Sequence, residues 1–166
     1  MSSPPVFPAP DHDHDRCSSE ALAHAEAVCA ARSQRLTPIR RQVLSVLAAS
    51  HQPLGAYEII ERLGDGGPRP APITVYRALD FLLEQGFAHR IESRNAFIAC
   101  GHHHGSREMV VFLICEHCGA VGEAGSAAVA ETLETAAGNA GFAIKTPVIE
   151  ITGTCAHCRD VRSPAS

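Results

Sequence analysis

Hydrophobic positions in residues 18–85 recur with the spacing of helices. An alanine-rich stretch after two possible serine caps predicts a helix over residues 18–34. Thr37 followed by Pro38 is typical of a helix start, and the apolar stripe that follows ends before His51. Two further helices are predicted, over residues 56–63 and 73–85, the latter ended by a glycine.

Two short stretches with β character come next along the chain. Residues 88–93 and 95–100 are joined at Arg94–Asn95, which predicts a hairpin. Three helices followed by a two-stranded hairpin describe a winged helix-turn-helix, with the helix at residues 18–34 as an addition. In that fold the third core helix, here residues 73–85, enters the major groove of DNA.

The character of the chain changes after Cys100. A polar, histidine-rich linker precedes an apolar strand at VVFLIC, a helix from Ser126 to about residue 139, and an alternating stretch over residues 142–155. With a further strand after the first cysteine pair, the order β-β-α-β predicts a second, small α/β domain, and the fold class is therefore α+β. The predicted segments are a disordered tail (1–17), the winged helix (18–99), a hinge (100–108), the second domain (109–160) and a short tail (161–166).

Two Cys-x-x-Cys pairs frame the second domain and carry the strongest chemical signal in the sequence. Cys115, Cys118, Cys155 and Cys158 together offer four thiolates, the ligand set that structural zinc prefers. Thirty-six residues separate the two pairs. The segment between them must therefore be a folded unit that the metal closes.

Disulfides and redox chemistry are the alternatives to zinc. A disulfide framework suits a secreted protein, but the N-terminal stretch has no basic start or apolar segment typical of a signal peptide. Seven cysteines would also leave one unpaired in an oxidising compartment. A redox Cys-x-x-Cys usually lies in a thioredoxin-like unit, where one pair suffices.

Composition and charge place the chain among cytoplasmic globular proteins. No apolar stretch approaches the length that spans a bilayer, so we expect no membrane association. The net charge is −4, yet residues 32–94 carry nine arginines against six acidic residues. A local excess of arginine suits contacts with phosphate, although a solvated helix face can look the same.

The order of winged helix, histidine-rich hinge and Cys-x-x-Cys domain resembles the ferric uptake regulator family of metal-sensing repressors. TVYRALDFLLEQGFAHRIES is similar to that family's recognition helix and wing, and FLICEHCGAV to its first zinc-ligand pair. The resemblance covers about residues 20–158. It implies a homodimer on double-stranded operator DNA, with the second domain responsible for dimerisation.

The sequence is most similar to the zinc-sensing branch of that family. The resemblance implies that His89, Cys100 and Glu123 are ligands of a regulatory metal, and a thiolate ligand favours zinc over ferrous iron. The fourth ligand stays open. Glu108 occupies the position of the branch's usual histidine, while His102 and His104 lie slightly earlier and could replace it or form another site.

Candidate DNA contacts lie on and before the predicted recognition helix. Arginine can donate two hydrogen bonds to guanine, and tyrosine can contact phosphate or a thymine methyl group. The resemblance adds a tyrosine at the start of the preceding helix. The candidates are Thr74, Tyr76, Arg77 and Tyr57, with Arg40, Arg41 and Thr37 as phosphate contacts.

The predicted function is zinc-responsive repression of zinc uptake genes. The alternatives within the same family are sensors of iron, manganese or peroxide. A catalytic zinc would need an open position for water and a general base, and no HExxH motif occurs, so we expect neither an enzyme nor a small organic substrate. A passive zinc store would leave the locally basic winged helix unexplained.

Overall fold

The computed structural model describes residues 6–7, 14–101, 109–145 and 147–162. The chain divides into two compact units, and each is described by itself. The first unit comprises Pro10–Gly101, and the second comprises Met1–Ala9 together with His102–Ser166. Within the described residues, no helix combines the length and the hydropathy needed to cross a membrane.

The described part of the first unit is built from helices followed by a hairpin. The elements are α1 (His14–Ala31), α2 (Pro38–Ala48), α3 (Ala56–Gly64), α4 (Pro72–Gln85), β1 (Ala88–Ile91) and β2 (Ala96–Ala99). The sequence predicted each of them, but α1 begins earlier than residue 18. Thr37 precedes α2 with the extended backbone of an N-cap residue, as predicted. Its side chain, however, makes no capping hydrogen bond.

Helix α4 begins and ends at residues whose backbones suit those positions. Pro72 is its first residue, one position before the predicted start, and a proline there loses no helical hydrogen bond. Gly86 at its end has a φ of 76°, a left-handed conformation that glycine adopts without strain. The amide of Phe87 then donates to the carbonyl of Leu82. This cap turns the chain from α4 directly into the hairpin.

The core of the first unit joins α2, α3 and α4 to α1 and the hairpin. Its largest fully buried side chains include Val43, Leu44, Leu47, Ile59, Val75, Leu79 and Leu82. The hairpin is antiparallel, with Ala88 opposite Ala99 and His89 opposite Ile98. Reciprocal backbone hydrogen bonds between Leu54 and Phe97, both 2.8 Å, tie the hairpin to the chain between α2 and α3. The hairpin is therefore fixed to the helices.

Shortening a core leucine of α4 is expected to destabilise the first unit. Leu82 is completely buried, so Leu82→Ala should lower the free energy of unfolding by about 2–5 kcal/mol, through lost burial and a residual cavity. Urea denaturation would show this as a lower midpoint with little change in slope. Glu84→Ala, at an exposed position of the same helix, is the control and should leave the midpoint nearly unchanged.

A three-stranded sheet organises the second unit. Its strands are β3 (Val110–Cys115), β4 (Val121–Gly125) and β5 (Ile149–Gly153), in the order β4-β3-β5. β4 pairs antiparallel with β3, and β5 pairs parallel with it. Helices α5 (Ala127–Asn139) and α6 (Ala156–Arg162) complete the described part. The predicted order of strands and α5 is confirmed, but β5 is shorter than the alternating stretch over residues 142–155.

A segment of the predicted N-terminal tail lies against this sheet. A methyl group placed on Gly122 of β4 would come within 2.6 Å of Val6 Cγ1 and 2.8 Å of the Val6 carbonyl oxygen. Only glycine at this position allows so close an approach. Val6 and Phe7 are therefore packed on the second unit, whereas the rest of residues 1–13 lies outside the described residues.

Much of the apolar surface of the second unit has no cover within the unit. Helix α5 is capped by Ser126, whose side chain accepts a hydrogen bond from the amide of Val129. None of the residues of α5 is buried. The exposed large apolar side chains of this unit are Val129, Leu133, Phe142, Val148, Ile151 and Val161. So many exposed apolar residues on one small unit are typical of a surface that binds another protein.

Candidate metal centre and nucleic-acid interface

The first Cys-x-x-Cys pair lies in a tight turn at the end of the central strand. Cys115 is the last residue of β3, and its amide donates to the carbonyl of Ala120. The amide of Gly119 donates back to the Cys115 carbonyl, and Gly119 has a φ of 75°. The turn brings Cys118 back beside Cys115. A residue with a side chain would be strained at Gly119.

The second pair reaches the same place through the parallel pairing of β5 with β3. Cys115 is the register partner of Gly153, and the amide of Glu116 donates to the Gly153 carbonyl at 2.9 Å. Cys155 follows two residues later at the start of α6, where its carbonyl accepts from the amide of Arg159. One helical turn then places Cys158 beside it.

The four sulfurs form a cluster that fits a tetrahedral zinc ion. The Sγ atoms of Cys115, Cys118, Cys155 and Cys158 all lie within 4.8 Å of one another. Those of Cys118 and Cys155 are 3.9 Å apart. A tetrahedron with Zn–S bonds of about 2.3 Å has edges of about 3.8 Å, close to this separation. None of the seven cysteines forms a disulfide, so the structure does not contain the alternative framework.

Backbone amides near this cluster lower the pKa of a thiol that burial would raise. Burial alone would raise the pKa of the Cys115 thiol, but amides of Cys118, Cys155 and His117 hold it at about 5. The Cys155 amide lies 3.4 Å from the Cys115 sulfur. Partial burial and the neighbouring sulfurs raise the pKa of Cys158 to about 12. Four thiolates so close together require a compensating cation. His117 and His157, which lie within the two Cys-x-x-Cys turns, are exposed.

The hairpin of the first unit places two soft metal ligands on one face. The amide of Cys100 donates to the carbonyl of Phe87, which continues the ladder in which His89 lies opposite Ile98. His89 and Cys100 are therefore diagonal neighbours on the same side of the hairpin. A ring nitrogen of His89 and the sulfur of Cys100 lie within 4.8 Å of each other. Both residues are partly buried.

The other predicted regulatory ligands belong to the second unit. Glu123 lies on β4 opposite Phe112 of the central strand, and only 6% of its surface is exposed. Among the described residues it is the buried residue that carries a charge, which is costly unless the carboxylate has a compensating partner. His102, His104 and Glu108 lie outside the described residues.

The predicted DNA contacts on α4 lie on its solvent side. Tyr76 is 41% exposed and Arg77 is exposed, whereas Val75, Ala78 and Leu79 face the core. Thr74 is exposed in the first turn, and its amide donates to the carbonyl of the N-cap residue, Ala71. Tyr57, in the first turn of α3, is 71% exposed.

One large exposed side chain on this surface was not predicted from the sequence. Ile73 in the first turn of α4 is 59% exposed, and it lies three and four residues before Tyr76 and Arg77. These three residues share one face of the helix. That spacing was visible in the sequence, but an isoleucine at a helix start is usually assigned to the core.

The predicted phosphate contacts of α2 already have partners within the first unit. The guanidinium carbon of Arg40 lies 3.5 Å from the centroid of the Phe81 ring, and its Nη1 donates to the carbonyl of Arg35. Arg41 forms a salt bridge with Glu26 of α1, and both side chains are about half exposed. An exposed pair of this kind contributes little stability, so Arg41 can exchange its partner for a phosphate.

Comparison with known proteins gives one consistent result. The model of the ferric uptake regulator family matches residues 31–152. The zinc uptake regulation protein of Escherichia coli (strain K12) is 41% identical over 146 residues, which are 88% of this chain and 85% of that protein.

Two solved structures support the same relationship. A zinc uptake regulator complexed with zinc and DNA superposes with a TM-score of 0.83 at 41% identity, covering 89% of this chain and 98% of that one. The crystal structure of holo XcZur gives a TM-score of 0.78 at 40% identity, covering 86% and 99%. Identity and coverage at this level extend over both units, and the chain belongs to the ferric uptake regulator family.

Proposed function

We propose that this protein is a zinc-responsive transcriptional repressor that binds operator DNA as a homodimer and controls zinc uptake genes. The observation that carries the proposal is the pair of soft ligands, His89 and Cys100, on the hairpin that directly follows α4. A metal held by this pair is bound by the same unit that presents the candidate DNA contacts. The relatives described as zinc uptake regulators support zinc as that metal.

The four-cysteine cluster has a structural role in this proposal. All four of its ligand positions are thiolates, so no position is open for water or a substrate. Cys115 and Cys118 follow β3, and Cys155 and Cys158 follow β5, so the cluster joins the central strand to an edge strand. Zinc supplies the charge that holds the thiolates together. We therefore assign no catalytic function to the protein.

The regulatory site is proposed to contain His89, Cys100 and Glu123. A set of imidazole, thiolate and carboxylate suits zinc, and the thiolate argues against sensors of iron, manganese or peroxide. One further ligand comes from Glu108, His102 or His104. Because the ligands come from both units, occupancy favours one arrangement of the chain. By linkage, DNA then raises the affinity for zinc by the factor with which zinc raises the affinity for DNA.

The candidate partner surfaces follow the division into units. Helix α4 and Tyr57 supply the contacts to base pairs, and Arg40, Arg41 and Thr37 supply those to phosphate. The apolar surface around α5 and β5 is the proposed dimer contact. The protein is proposed to act in the cytoplasm, where thiols stay reduced, without a membrane or a small organic substrate.

Zinc-dependent DNA binding is the direct test. DNA from the promoter of a zinc transporter of the same organism should bind more tightly as buffered free zinc rises, by about 5- to 150-fold. The four-cysteine cluster must stay loaded throughout. Cys100→Ser should abolish the rise, since serine replaces the thiolate with a poor zinc ligand. Fluorescence anisotropy of labelled operator would measure the DNA affinity of the wild type and of Cys100→Ser at each zinc concentration.

Cys17→Ser is the matched control, because it removes a partly buried thiol of α1 that belongs to neither metal site. It should keep the full zinc response. A response to iron or manganese but not to zinc would overturn the metal assignment. Absence of any metal-dependent binding would overturn the repressor mechanism.

A further inference from the structure

The exposed isoleucine at the start of α4 calls for a chemical partner. Ile73 has more than half of its surface in solvent, although the core of the first unit lies on the opposite side of the same helix. Single exposed apolar residues are common on protein surfaces. This one differs because it shares a helix face with Tyr76 and Arg77, two of the candidate contacts to DNA.

The position of Ile73 within the helix restricts what it can contact. It is the second residue of α4, and side chains of a helix lean towards its N-terminus. In helix-turn-helix proteins, the N-terminal residues of the recognition helix are those that reach base edges. Ile73 is therefore placed at the end of α4 that enters the groove first, one turn ahead of Arg77.

The major groove offers one apolar group on the base edges, the C5 methyl of thymine. Isoleucine suits that contact because its β-branched side chain has one strongly preferred rotamer in a helix and loses little freedom on binding. The surrounding charge also suits DNA rather than an apolar protein partner. Residues 32–94 carry an excess of arginine, and Arg77 shares the face.

We propose that Ile73 contacts the C5 methyl of a thymine in each operator half-site and so selects thymine at one position beside the base pair that Arg77 contacts. This inference deepens the proposed function and rests on it. Burial of one methyl group is worth about a three- to fivefold change in affinity. The contact therefore adjusts sequence preference and is not a condition for binding.

The test compares thymine with deoxyuracil, which lacks only the C5 methyl. Each thymine of the operator is replaced in turn, and binding is measured at saturating zinc. The wild-type protein should lose about three- to fivefold in affinity at one position per half-site. Ile73→Ala should lose the same factor on the natural operator and should be indifferent to deoxyuracil at that position. Ile73→Val, which keeps the branched carbon, should give an intermediate loss.

Lys145→Ala is the control variant, because Lys145 is an exposed residue of the second unit that is neither a candidate DNA contact nor one of the apolar side chains of the proposed dimer contact. It should keep the wild-type profile. Folding of the Ile73 variants is checked by the urea midpoint, which an exposed position should leave unchanged. An equal deoxyuracil profile in wild type and Ile73→Ala would overturn this inference alone. Loss of all zinc-dependent binding by the wild type would overturn the proposed function instead.

Discussion

Replacing Cys155 with serine is expected to unfold the sheet of the second unit. The sulfur of Cys155 lies 3.9 Å from that of Cys118, and its amide contacts the sulfur of Cys115, so it joins both pairs. Serine cannot replace the thiolate, and structural zinc in small domains contributes about 10–16 kcal/mol of folding free energy. Apart from the cluster, β5 depends on its pairing with β3, because none of its own residues is buried.

Zinc content and amide hydrogen exchange measure this effect. The Cys155→Ser variant and its parent protein both carry Cys100→Ser, so that the zinc they retain belongs to the four-cysteine cluster. After dialysis against a moderate chelator, Cys155→Ser should have lost this zinc, and amides of β3 and β5 should exchange rapidly. The core of the first unit, around Leu79, should keep its protection. Cys17→Ser is the control, and retention of zinc by Cys155→Ser would contradict a structural cluster.

The cysteine spacing carried most of what could be predicted about the metal centre. Cys-x-x-Cys is a local signal, because two ligands three residues apart can share one ion whatever the fold. The pairing that brings the two pairs together is not local. It depends on β5 lying parallel to β3, with Cys115 level with Gly153. Nothing in the alternation of residues 142–155 indicates which strand β5 pairs with.

The starts of helix α1 and strand β5 differ from those predicted from the sequence. Helix α1 was expected to begin at a serine cap, but it begins at His14. The Ser19 hydroxyl instead donates to the carbonyl of Asp15 one turn earlier, and Arg16 forms a salt bridge with Glu20. Ser19 and Glu20 therefore make contacts within the helix and do not mark its start. Strand β5 begins only at Ile149, because Pro147 has no amide hydrogen to donate to a sheet.

The burial of Glu123 was not predicted from the sequence, because the family resemblance implied only that this residue is a metal ligand. A glutamate in GAVGE looks like a surface residue, and its burial becomes visible only when β4 is paired with β3 opposite Phe112. The exposed face of α4 shows the opposite case. Isoleucine is usually a core residue, and only the packing of the first unit shows that Ile73 is exposed to solvent.

Replacing Arg77 with alanine is expected to weaken operator binding about 5- to 150-fold, the effect of about 1–3 kcal/mol for a bidentate contact to guanine. Arg77 is exposed in the second turn of α4, on the face it shares with Tyr76 and Ile73. Arg77→Lys distinguishes geometry from charge. Lysine keeps the positive charge but lacks the planar pair of donors, so it should recover non-specific binding while losing discrimination at one base pair.

The measurement is binding to the natural operator, to an operator with the contacted guanine replaced, and to unrelated DNA, each at several salt concentrations. Lys145→Ala removes one charge from the exposed surface of the second unit and serves as the control, with near wild-type specificity expected. If Arg77 contacts only phosphate, both Arg77 variants should bind all sequences in the wild-type ratio. Alanine would then lower the salt slope by about one, because each neutralised phosphate releases about one counterion. A changed ratio between operator and unrelated DNA therefore assigns Arg77 to the base edge rather than to the backbone.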